Sequence, residues 1–138
     1  MSVNPPPNLP VFQRSVIIPT AQVLTCFTTP ITLIPAPGAG VSALYVGGAV
    51  TYRAGATPFL DGGGNLVIYL GGTLGFTQLA GAGFWDQATD QIWQFSLNAG
   101  KFAAAQTRNL PLTFSNTVAN PTLGNGSLKI DLFAYLLT

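Results

Sequence analysis

Pro30–Gly64 reads PITLIPAPGAGVSALYVGGAVTYRAGATPFLDGGG, and its punctuation decides the fold class. Ile31–Ile34 is a brief β-branched run stopped by Pro35-Ala-Pro-Gly, a turn signal. Val41–Arg53 is the longest strand candidate in the chain. Successive strand residues face opposite ways, so Leu44, Val46, Val50 and Tyr52 share one face and Val41, Ala43, Tyr45 and Ala49 the other. Both faces are apolar, and the expectation is burial on both sides, in a sandwich or an inter-subunit wall. Gly47-Gly48 marks a bulge, a bend or a close backbone approach. Pro58–Leu60 and Leu66–Leu70 flank Asp61-Gly-Gly-Gly-Asn65, which predicts a hairpin with a glycine loop.

The same pattern extends to either side. Val16–Ile18 and Gln22–Thr28 are rich in β-branched and apolar residues, and Pro30 closes the second run. Gln91–Leu97 places Trp93, Phe95 and Leu97 on one side, as a half-buried strand does. Pro111–Asn116 is a further strand candidate. Ser127–Thr138 sets Leu128, Ile130, Leu132, Ala134 and Leu136 against Ser127, Lys129, Asp131, Phe133, Tyr135 and Leu137. Gly71–Gly83 has no readable period, and Phe84–Asp90 predicts one short helical turn. About seven to nine short strands with regular turn signals define an all-β sandwich or barrel. Residues 11–138 are read as a single domain.

Residues 1–10 hold Pro5, Pro6, Pro7 and Pro10. Proline fixes φ and lacks a donor, so this stretch favours an extended polyproline-like arm over a helix or central strand. It is either a terminal tail or an arm that lies across a neighbouring subunit.

Composition narrows the function classes. Charged residues make up 7% of the 138 residues, against about 25% in ordinary domains, while 48% are hydrophobic. A monomer keeps its surface soluble with interspersed charge, so much apolar surface is expected to lie between subunits or against a larger partner. A net charge of +1 without a basic cluster gives no grip on phosphates, which argues against nucleic acid. The most apolar stretch, Val41–Val50, is broken by Gly47 and Gly48 and falls short of the roughly 20 residues of a membrane span. The opening Met-Ser-Val-Asn-Pro-Pro-Pro has neither region of a secretory signal, and the expectation is synthesis in a cytoplasm.

Catalytic constellations fail one by one. With no histidine and a single cysteine, imidazole-dependent triads are excluded and transition-metal ligands are scarce. Cys26 reads as a small packing residue. Asp86 and Asp90 would share a face of a helical turn, but a carboxylate pair needs a cleft and one raised pKa to hydrolyse glycosides. Caps or solvated acids are the simpler reading. Gly62–Gly64 lacks the Gly-Lys-Ser/Thr of a phosphate loop. Asn125-Gly126-Ser127 reads as a tight turn before a strand, not a glycosylation site. Phe84, Trp85, Trp93, Phe95 and Phe102 suit core or interface packing better than a stacking platform. The expectation is a protein with no enzymatic activity, cofactor or metal.

Three stretches carry a resemblance. AQVLTCFTTPITLIPAPGAG (21–40), TPFLDGGGNL (57–66) and NLPLTFSNTVANPTLGNGSLKIDLFAY (109–135) resemble, in that order, the opening, glycine-loop hairpin and closing segments of small structural proteins of tailed bacteriophages. Val41 stands where a basic residue commonly follows the Ala-Pro-Gly-Ala-Gly turn. The resemblance implies a jelly-roll-like β-sandwich, a homotrimer, and a capsid decoration (cement) protein on the outer capsid surface of the virion, partnered by the major capsid protein. On that reading the arm, with Pro5, Pro6, Pro7 and Pro10, and the adjoining Val11 and Arg14 form the docking surface. Arg14 either pairs with an acidic site on the shell or is a solvated surface charge. The alternative is a receptor-binding or adhesion module of a tail or head fibre, presenting Asp61–Asn65 and Leu79–Asp86 to the host.

Overall fold

Prolines and glycines cut the chain where the strands end. Pro19 closes the first strand, Pro30 and Pro35 bracket the second, and Pro111 precedes the eighth. The structure is a computed structural model that describes residues 11–72, 74–97 and 108–138. The expected arm, with Pro5, Pro6, Pro7 and Pro10, lies outside the described residues, as do Lys101 and Phe102. The described strands are β1 (Val11–Ile18), β2 (Ile31–Ile34), β3 (Ser42–Arg53), β4 (Asn65–Leu70), β5 (Leu74–Ala80), β6 (Gln91–Gln94), β7 (Ser96–Leu97), β8 (Leu112–Asn116) and β9 (Ser127–Leu137). One short helix, α1 (Thr20–Val23), follows β1.

Two antiparallel sheets result, ordered β1-β9-β3-β6 and β2-β8-β4-β5-β7. The chain crosses between sheets from β1 to β2 to β3 to β4, stays in one sheet for the β4–β5 hairpin, then crosses again to β6. This interleaving is the double Greek key of a jelly roll. The all-β sandwich read from the sequence is the architecture found. Tyr45, Tyr52, Phe59, Leu66, Ile68, Phe84, Trp85, Phe114, Leu128, Ile130 and Leu132 fill the space between the sheets and form one apolar core.

β3 explains its own two apolar faces. Its register with β9 shifts between Tyr45 and Gly47, so Val46 is the extra residue of a bulge. Ala43 and Tyr45 face the core before it, and Val50 and Tyr52 after it. One core face changes phase at the bulge; the strand is not covered on both sides. Gly48 is required here, because a Cβ would lie 2.7 Å from the Asp131 carbonyl oxygen and 3.0 Å from the Tyr45 hydroxyl.

Four local readings need correction. Gln22–Thr28 is not a strand: α1 and the following turn occupy it, with Leu24 N–H donating to Thr20 C=O at 3.0 Å. Its apolar run is satisfied by burying Val23 and Cys26 rather than by pairing. Pro58–Leu60 is not the hairpin partner of β4. Leu60 bridges Thr122 instead, and β4 pairs with β5 and β8. The glycine-rich stretch supplies β5, with Gly71 and Gly72 at φ +64° and +77° turning the hairpin. Phe84–Asp90 is not helical; the turn sits earlier, with Phe84 and Trp85 N–H donating to Gly81 C=O.

Candidate functional site

The two acids that a hydrolase reading would need are differently employed. Asp90 accepts from Ala54 N–H at 2.9 Å and faces Arg53 at 3.4 Å, both side chains being exposed. Its role is to tie the end of β3 to the loop before β6. Asp86 is exposed. No group of three or more metal-ligating acids, thiols or imidazoles occurs among the described residues. Cys26 is buried, and desolvation pushes its thiol up to about 11, so it is not an activated nucleophile.

The aromatics form core and not a platform. Phe84 meets Tyr52, Trp85 and Trp93 edge-on with ring centroids 5.5, 5.0 and 6.0 Å apart, and Phe59 meets Trp85 at 5.8 Å. Such edge-to-face pairs contribute about 0.5–1.5 kcal/mol each beyond area burial. Tyr52 donates its hydroxyl proton to the Trp85 carbonyl at 3.2 Å. Burial raises the Tyr52 pKa, with the Asp86 charge adding to it.

Six of the eight exposed large apolar side chains among the described residues gather in two places instead, Ile17 and Ile92 standing apart from both. The first is the end of the sandwich built by the loops 19–30, 54–64 and 117–126. Phe27, Leu60, Val118 and Leu123 are 40%, 53%, 58% and 63% exposed there. The three loops contain one charge, Asp61, whose carboxylate folds back to accept from Gly63 N–H at 2.9 Å. Hydrogen bonds lock the loops together. Asn120 Oδ1 accepts from Phe27 and Thr28 N–H at 2.8 and 3.2 Å, while its Nδ2 donates to the Thr28 hydroxyl at 3.1 Å. Leu60 and Thr122 exchange backbone bonds at 2.7 and 3.0 Å. Thr57 N–H donates to Asn125 Oδ1 at 2.9 Å, and Asn125 N–H returns a bond to Thr57 C=O at 3.1 Å. Asn125 is thus an inter-loop clasp, and the positive φ belongs to Leu123 and Gly124. Leu123 at φ +52° is strained, since a branched side chain rarely adopts this region. The loop end is thus nearly uncharged, cross-linked by hydrogen bonds and tipped with apolar side chains.

The second place is the outward face of β9 and β3. Phe133 and Val46 are exposed, with Leu44, Tyr135 and Leu137 half-buried beside them. Lys129 and Asp131, paired at 3.6 Å, stand on the other half of this face, where Ser15 also donates to Asp131. β1 begins beside the apolar half, with Val11 opposite Tyr135. Val11, the first described residue, therefore lies at the end opposite the apolar loops. Arg14 lies opposite the buried Leu132, on the inward-facing side of β1, and has no ion-pair partner among the described residues.

The docking residues read from the sequence were placed at the arm end, and the loop end was missed. Its signal was available in one respect: Val118 and Leu123 sit apolar among turn-forming Asn, Pro and Gly. Leu79 and Ala80 belong to β5 and Phe84 and Trp85 are core, whereas Ala82, Gly83 and Asp86 are exposed. Comparison with protein-family models, with curated proteins and with solved structures found no match.

Proposed function

We propose that this protein is a virion structural component of a tailed phage, a decoration (cement) protein that binds the outer capsid surface as a homotrimer and stabilises the expanded shell. The observation that carries the reading is the loop end, where Phe27, Leu60, Val118 and Leu123 stand exposed on loops fixed by hydrogen bonds and almost free of charge. Apolar side chains held out by a rigid scaffold lose little entropy on docking. A jelly roll is also a recurrent architecture of viral capsid proteins, which supports the reading by fold-level analogy alone. The resemblance of residues 21–40, 57–66 and 109–135 to phage structural proteins supplies the rest.

The mechanism is bridging across joints between major capsid subunits. A ligand that binds only the expanded lattice stabilises that lattice by mass action. Three copies joined in a trimer dock with the second and third contacts at high effective concentration, so a modest footprint per copy suffices. The arm and the start of β1 add a second attachment at the far end.

Quantitative mass spectrometry of purified virions against the major capsid protein tests this. Hundreds of copies are expected for a shell protein. A few to a few tens would move the protein to a vertex, fibre or tail and remove the cement reading. Deletion of residues 1–10 is expected to lower capsid occupancy with the melting temperature unchanged; full occupancy would remove the arm from the docking surface.

A further inference from the structure

A sandwich has four sheet edges, and an edge strand left open is a template for another chain. Among the described residues two of them, the β2 and β6 edges, are short or blunted. β2 is four residues long, has a register irregularity between Thr32 and Ile34, and is flanked by Pro30 and Pro35. β6 has four residues, and Ser96 and Leu97 are the described part of the β7 edge. β1 differs. It runs eight residues in unbroken register with β9 and contains no proline, and β9 is its one strand neighbour among the described residues. No backbone hydrogen bond beyond that pairing engages β1 among the described residues.

The surroundings of this edge suit an added strand. A cleft of about 420 Å³ opens between β1 and β2, lined by Val16, Ile17, Pro30 and Ile31 among others. Ile17 is 71% exposed at its rim. Alternate side chains of a strand laid on β1 would enter this cleft beside Val16, and the others would lie on the outward face. Arg14, on the inward-facing side two residues before Val16, is a half-buried cation without an ion-pair partner among the described residues. A neighbouring strand would meet it directly, and an acid at that position is the complement.

We infer that the free edge of β1, with the β1–β2 cleft, accepts an extended segment of a partner protein that carries an acidic side chain opposite Arg14 and β-branched side chains two residues to either side. Main-chain bonds supply the affinity in this mode, and the alternating side-chain positions supply the selectivity. The inference goes beyond the shell reading and does not depend on it.

A blocked octapeptide, Val-Thr-Val-Thr-Glu-Thr-Val-Thr, is the probe. Titrated into the full-length protein, it is expected to bind saturably at one per chain, with amide NMR shifts confined to residues 11–18 and 29–32. Replacing its Glu by Lys is expected to weaken binding about tenfold, the scale of exchanging an attractive for a repulsive pair. Arg14→Glu in the protein should reverse that preference. N-methylation at alternate peptide residues should abolish binding. Absence of saturable binding overturns the inference, whether a second copy or residues 1–10 of the same chain cover the edge. Equal affinity of the N-methylated peptide, or shifts elsewhere, overturns it as well. Scarcity of the protein in virions would remove the shell reading and leave strand binding standing.

Discussion

Gly47 and Gly48 are neighbours in sequence with opposite tolerances. A Cβ at Gly47 meets nothing within 4 Å, whereas at Gly48 it would press on the Asp131 carbonyl oxygen and the Tyr45 hydroxyl. Gly48→Ala is expected to destabilise by about 1–3 kcal/mol, the usual cost of overpacking, and Gly47→Ala to change stability by less than about 0.5 kcal/mol, as surface changes do. Urea denaturation of the pair checks this; equal effects would mean that the bulge is not placed as described. Cys26 sets an alkaline limit. Its folded-state pKa of about 11 exceeds the ordinary 9.0 because burial penalises the thiolate. The stability it confers is therefore intact below pH 9 and is lost as pH rises towards 11. Linkage puts the loss at roughly 2–3 kcal/mol. The raised Tyr52 acts in the same direction. Urea midpoints at pH 8 and pH 10.5 should differ, and Cys26→Ala should shrink the difference; an undiminished difference would assign it elsewhere.

At the scale of elements, strands were legible where alternation was long. In β9, Leu128, Ile130, Leu132 and Ala134 are buried and Phe133 is exposed, as period two requires. β5 was illegible because Gly75 and the glycines flanking the strand carry no hydrophobic phase, and the hairpin partner of β4 was misread for the same reason. Gln22–Thr28 shows the limit of propensity: an apolar, β-branched run turned helical and then irregular, burying Val23 and Cys26 instead of pairing. The loop end depends on Asn120, which serves two backbone N–H groups and one hydroxyl across more than 90 residues of chain. Asn120→Ala is expected to cost about 0.5–1.5 kcal/mol, the usual net contribution of a hydrogen bond whose freed donors water can reach. It should also speed amide exchange at Phe27 and Thr28 selectively. Exchange that rises uniformly would show that the loops are not held by this side chain.

For the whole molecule, the apolar loop end offers a test that separates folding from docking. Leu123 is exposed and strained, and asparagine tolerates the left-handed region far better. Leu123→Asn is expected to leave the melting temperature unchanged or slightly higher, and to reduce occupancy on expanded capsids about tenfold or more in concert with Val118→Ser. Unchanged occupancy would take the loop end out of the docking surface. The sequence by itself determined the all-β class, because strand alternation and Pro/Gly punctuation are local properties. It also determined that no histidine and no glutamate is present, because side-chain types that are missing cannot be supplied by folding. Only the tertiary structure decided which of β3's residues face the core, since one extra residue at Val46 inverts the phase of all that follow. Only it gathered Phe27, Leu60, Val118 and Leu123 at one end and left β1 open at an edge, because both depend on which strands become neighbours between residues far apart in the chain.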